Sequence, residues 1–222
     1  MLKRAWLVIV LAMLTLGVPA VAQTTQDDAV AFFRAAQLDD ARRIKPLLAR
    51  GLDPNLHEPE RGETGLIVAL RYDAMAVFEL LLAQPGIRLE EQAPNGNTAL
   101  MMAAFRKNKP AMLALMDKGA QVNRPGWTAL HYAAAAGDTD IIRLLLARHA
   151  YIDAESPTGF TPLMMAAREG MEDAVQLLLE EGADASLKDR AWGIDAAEFA
   201  ARAHKPWIAE RIVRHRFGLP PR

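Results

Sequence analysis

The chain has 222 residues, with 26 basic against 27 acidic side chains and no cysteine. That balance argues against a general nucleic-acid or anionic-membrane binder, which would carry a clear basic excess. The absence of thiols excludes disulfides, thiolate catalysis and cysteine-ligated metals.

At the N-terminus, Lys3 and Arg4 precede an apolar run from Ala5 to Gly17, and Ala20-Val21-Ala22 puts small residues where a signal peptidase reads. Residues 1–22 therefore read as a cleavable secretory signal, with the mature chain starting near Gln23. The run is short of the about 20 residues a spanning helix needs, so no membrane insertion is expected after cleavage. Without Lys3 and Arg4, 24 basic residues face 27 acidic ones, a net charge of −3. A domain that needs no disulfide in an oxidising compartment suits the periplasm, which is the expected location.

Residues 27–51 form an atypical first unit, with Asp39 where later units place Gly and with Pro46 predicted to kink or shorten the second helix. From there the chain repeats. Thr64, Thr98, Thr128, Thr161 and Asp195 recur at spacings of 34, 30, 33 and 34 residues, the period of stacked helix pairs. Each residue is positioned to cap a helix, and Pro162 stands in a first turn, where its missing N–H costs nothing. Small pairs follow at Ala103-Ala104, Ala133-Ala134, Ala166-Ala167 and Ala200-Ala201, then apolar runs such as Leu80-Leu81-Leu82, Leu144-Leu145-Leu146 and Leu177-Leu178-Leu179. Gly119 and Gly182 close two of these second helices; His149 holds the same slot and is predicted to have a positive φ. The segment Val122–Gly126 is three residues shorter than Ile152–Gly159, so one connecting finger should be truncated, leaving a notch in the row.

The stretch Gly126-Trp127-Thr128-Ala129-Leu130-His131-Tyr132-Ala133-Ala134 and the opening Thr161-Pro162-Leu163 resemble the ankyrin repeat. The resemblance covers about residues 27–217 and implies an all-α solenoid of about six helix-turn-helix units with short β-hairpin fingers and atypical terminal caps. The expected layout is a signal at 1–22, a repeat domain at 23–217 with units of about 27–60, 61–94, 95–124, 125–157, 158–191 and 192–217, and a tail at 218–222. The family's His slot is kept only at His131; Ile67, Met101, Met164 and Glu198 fill it elsewhere, so apolar packing is expected to replace most of the hydrogen bonds made there.

Catalytic chemistry is hard to find. The serines Ser156 and Ser186 lie in no nucleophile elbow, no His pair has zinc-helix spacing, and no glycine-rich phosphate loop is present. His131 reads as a structural repeat residue, and His57, His149, His204 and His215 as surface or loop groups. No catalytic residue, metal ligand or cofactor is therefore assigned.

The surface carries the functional expectation. In the family, partners are held by the fingers and by concave positions after the small pair; the resemblance puts Arg71, Tyr72, Phe105, Arg106 and Arg168 on that face. Trp127 and Phe160 precede neighbouring Thr slots, with Trp192 close to the next, and should stand about 10 Å apart on adjacent fingers. Such residue types are enriched at interface hot spots, and the recurrent arginines suit carboxylates on a partner. The basic tail from Arg202 to Arg222 reads as a polar C-terminal cap. The expected function is non-enzymatic binding of a protein partner by a monomer, without nucleic acid, protecting a co-exported enzyme or neutralising a toxin. The alternative is a small-ligand or envelope-glycan binder stacking on Tyr72, Phe105 and Trp127.

Overall fold

A computed structural model describes the backbone of residues 20–220 and the side chains of 26–220. The expected signal therefore lies almost wholly outside the described residues. Among the described residues, twelve helices form six antiparallel pairs: α1 (Ala20–Gln37) with α2 (Ala41–Ala49), α3 (Gly65–Arg71) with α4 (Met75–Leu82), and α5 (Ala99–Phe105) with α6 (Lys109–Asp117). They continue as α7 (Ala129–Ala136) with α8 (Thr139–Ala147), α9 (Pro162–Glu169) with α10 (Glu172–Glu180), and α11 (Ala196–Arg202) with α12 (Pro206–Arg216). The odd-numbered inner helices pack on one another in chain order, and each packs on its own even-numbered outer helix. Such an array is stabilised by nearest-neighbour contacts alone.

The inner helices are too short to hold themselves together, so their ends are fixed by side chains. Thr64, Thr98, Thr161 and Asp195 each accept a hydrogen bond from the backbone N–H three residues on. The small pairs at 103–104, 133–134 and 166–167 are sealed from solvent, which lets inner helices approach closely. Ala201 is exposed because, among the described residues, no further inner helix packs on α11. One expectation meets an exception and another is corrected. Glu198 restores the His-slot bond by accepting from Asp195 N–H at 3.0 Å, so polarity is retained in that slot. Pro46 does not shorten α2, which has nine residues like α6, α8 and α10. Both Pro46 and Arg42, whose carbonyl loses its donor, lie on the exposed side of the helix, where losing that bond costs least.

A left-handed turn ends each inner helix. Gly137 and Gly170 adopt it in two units, and Asp39, Asp73, Lys107 and His204 adopt it in the others with φ between 55° and 59°. The carboxylate of Asp39 reaches forward to accept from Val77 N–H at 2.9 Å in the next unit, where Ala74 offers α4 no side-chain cap. His149 has φ 62°, as its place in the repeat predicts.

The fingers are tight turns, not extended hairpins: among the described residues the one β-bridge pairs His57 with Thr64. Backbone bonds close the first, second, fourth and fifth, as in Glu58 N–H to Glu63 O at 2.8 Å and Ser156 N–H to Phe160 O at 2.9 Å. The third, between Gln121 and Trp127, is the shortest and has no such closure. Polar side chains tie adjacent loops laterally. Asn55 donates to Gly86 O and accepts from Arg88 N–H, and Asn123 does the same with His149 O and Tyr151 N–H at 2.7 and 2.8 Å.

Candidate partner-binding face

The inner-helix face divides into two halves. In the N-terminal half, the last turn of α3 places Arg71 and Tyr72 where α5 places Phe105 and Arg106 one unit on. Tyr72, Phe105 and Arg106 are exposed. Arg71 is not free for a partner in the way its position suggests: its Nε donates to Glu63 at 2.9 Å and its Nη2 to the other oxygen of the same carboxylate. The Glu63 side chain is 4 % exposed, and the hydrogen bond to it holds the Arg71 guanidinium above its ordinary pKa against the opposing effect of burial. Beside this pair, Arg71, Asn95, Asn97, Met102, Phe105 and Tyr132 enclose a hollow of about 230 Å³. Tyr132 Oη–H donates to Asn97 Oδ1, and its ring meets Phe105 edge-on with centroids 6.3 Å apart. Burial raises the Tyr132 pKa, so the phenol stays protonated and is fixed as a donor. Sequence reasoning missed Tyr132 because Val68, Met102, Met165 and Phe199 occupy its slot in other units and mark it as core; a hydroxyl among those apolar neighbours is the signal that could have exposed it.

In the C-terminal half the finger aromatics are turned inward. Phe160, expected as an exposed anchor, is 4 % exposed, and its ring packs edge-on against Phe199 at 4.7 Å. Its position before the Thr slot places it over the groove between inner helices. Apolar burial decides its direction. Trp127 is half-buried, 6.1 Å from Phe160 instead of the expected 10 Å, because it folds across the shortened third finger onto His131, 5.1 Å away. Phe160 and Trp127 thus cover the helices beneath, and neither offers a free stacking platform. Arg168 lies over the Phe160 ring at 5.0 Å and pairs with Glu169 at 2.9 Å, so it too is engaged within the chain. Trp192 is 65 % exposed. Its turn is held by Asp189, which accepts from Ala191, Trp192 and Ile194 N–H groups; burial pushes that carboxyl up, but these donors hold it below its usual range.

His131 sits at the centre of the array, fully buried. Its Nδ1 accepts from Thr128 N–H at 3.2 Å, and its Nε2–H donates to Phe160 O at 2.9 Å, so the neutral ring joins the fourth unit to the fifth. Burial lowers its pKa to about 4. Of the basic tail, Arg216 is drawn inward: it donates to Ala185 O and pairs with Asp195 at 2.8 Å. No helix among the described residues is long and apolar enough to cross a membrane.

Stacked short helix pairs with capped inner helices and a lined inner face define a repeat protein of the protein-binding class. The chain belongs to the ankyrin repeat family: the family model described as ankyrin repeats (3 copies) matches residues 32–125 and 122–189. Human SH3 and multiple ankyrin repeat domains protein 2 is 36 % identical over 151 residues, which are 66 % of this chain but 8 % of that protein. The human transient receptor potential cation channel subfamily A member 1 is 28 % identical over 160 residues, 67 % of this chain and 14 % of the channel. This chain thus spans a small part of such relatives. A solved structure entitled Bd0816 predatory endopeptidase from Bdellovibrio bacteriovorus in complex with immunity protein Bd3460 contains a chain that matches with a TM-score of 0.69 and 26 % identity. The match covers 83 % of this chain and 97 % of that one.

Proposed function

We propose that this protein is an exported ankyrin solenoid that binds a peptidase of the cell envelope and blocks it, without chemistry of its own, as an immunity protein does. The observation that carries the reading is the match to a chain from an endopeptidase–immunity protein complex over 97 % of that chain's length. With the large relatives, in contrast, the match covers only 8 % and 14 % of their own length. A preformed, rigid inner face supports it too, since little ordering entropy opposes association. Export rests on the Lys3-Arg4, apolar-run and Ala20-Val21-Ala22 pattern, and places the complex in the periplasm, with the solenoid as a monomer.

The test is affinity capture from periplasmic extract with the mature chain, identification of the captured protein, and titration of its peptidase activity. Stoichiometric inhibition, weakened by Tyr72→Ala or Phe105→Ala, is expected. Capture of a peptidase whose activity is unchanged at saturation would exclude the blocking role. A reporter enzyme active only after export, fused behind residues 1–22, checks the location.

A further inference from the structure

The hollow beside Arg71 presents hydrogen-bond donors that meet no acceptor among the described residues. Asn97 is 8 % exposed and its side-chain oxygen is taken by Tyr132, yet its amide Nδ2 has no partner among the described residues. No side-chain nitrogen or oxygen sealed from solvent among the described residues lacks a partner, so Nδ2 reaches solvent, and the space this residue lines is the hollow. Arg71 uses Nε and Nη2 on Glu63 and, among the described residues, keeps both Nη1 hydrogens unspent. Phe105, 51 % exposed, and Met102 form the apolar wall. Glu63 balances Arg71, but Arg106, next in the chain to Phe105, is exposed and has no ion pair among the described residues. Donors on one side, a ring on the other and an unbalanced cation suit one chemical group better than any other: a carboxylate on a short apolar stem.

We propose that this hollow is a subsite for an aspartate or glutamate side chain of the protein partner, its oxygens accepting from Asn97 Nδ2 and Arg71 Nη1 while its methylene stem lies on Phe105. The proposal rests on the reading of this face as partner-binding. Three successive units supply the lining, so the subsite is set by the stack and needs no rearrangement to form. A neutral carbonyl would satisfy the same donors but would gain nothing from Arg106.

The experiment is an NMR titration of the mature ¹⁵N-labelled chain with the end-blocked peptide acetyl-Ala-Glu-Ala-amide and with its Gln counterpart. Saturable movement of the Asn97 side-chain amide and Arg71 Nε–H signals is expected with the Glu peptide, and at least tenfold weaker binding with the Gln peptide. Asn97→Asp keeps the acceptor for Tyr132 and replaces the donor with a like charge, so it should lose the Glu peptide at least tenfold. Arg106→Gln, at an exposed position that does not threaten folding, should weaken it about threefold. Equal response to both peptides, no response to either, or unchanged affinity in both variants would overturn the proposal. If a captured peptidase is held equally by wild type and both variants, the subsite is wrong and the partner reading stands. If no partner is captured while the Glu peptide still binds at Asn97, the subsite stands and the partner reading falls.

Discussion

Protonation of His131 puts a charge where the native state cannot solvate it. The unfolded chain takes that proton near pH 6.5, whereas the folded chain resists it until about pH 4. Stability is therefore complete above pH 6.5 and falls as the pH drops toward 4, by about 3 kcal/mol at most. Urea unfolding at pH 7 and at pH 4.5 should show this slope, and His131→Leu should start from a lower stability with a flatter profile. Phe160 gives a second prediction. Packed against Phe199 and capped by Arg168, it should cost about 3 kcal/mol when cut to Ala, while Trp192→Ala, at an exposed turn, should leave the denaturation midpoint nearly unchanged. The sequence marked Phe160 and Trp192 alike as aromatics near a Thr slot, but side-chain direction is set by which neighbour has room. The Phe199 ring packed on one and the solvent open to the other are tertiary facts that no spacing reports.

Helix ends show how far local chemistry carries. The caps at Thr64, Thr98, Thr161 and Asp195 were legible because an oxygen-bearing side chain before an apolar run satisfies an otherwise orphaned N–H. The cap that Asp39 supplies to α4 was not, since it crosses from one unit to the next and depends on the left-handed turn aiming the carboxylate forward. Asp39→Asn, which keeps both the acceptor and a tolerance for that turn, should be close to neutral. Asp39→Ala removes both and should lose about 1–2 kcal/mol, read from thermal or urea unfolding. The site was legible to the same degree. Tyr72, Phe105 and Arg106 fall where the repeat frame puts them, whereas the pairing of Arg71 with Glu63 and the bond from Tyr132 to Asn97 join side chains eight and 35 residues apart in sequence.

Over the whole molecule, ion pairs such as Arg143–Glu181, Arg148–Asp117 and Arg190–Glu155 link neighbouring units along the outside, and all are substantially exposed. Exposed pairs are screened and add little, so raising the salt from low ionic strength to about 1 M should move the melting temperature by no more than a few degrees. A larger fall would mean that charge, and not the apolar stack, holds the array together. The left-handed turns have a different consequence. Asp73, Lys107, His149 and His204 carry side chains through a conformation that glycine adopts freely, and all four are exposed. Each change to Gly should add about 0.5 kcal/mol, the relief of strain less the extra freedom gained by the unfolded chain. Successive units stand about 10 Å apart, far enough for the gains to add. Together they amount to an unused thermal reserve of about 2 kcal/mol, several degrees of melting temperature. The chain has been left softer than its own architecture permits, and heat resistance could be engineered into it without touching a single core residue.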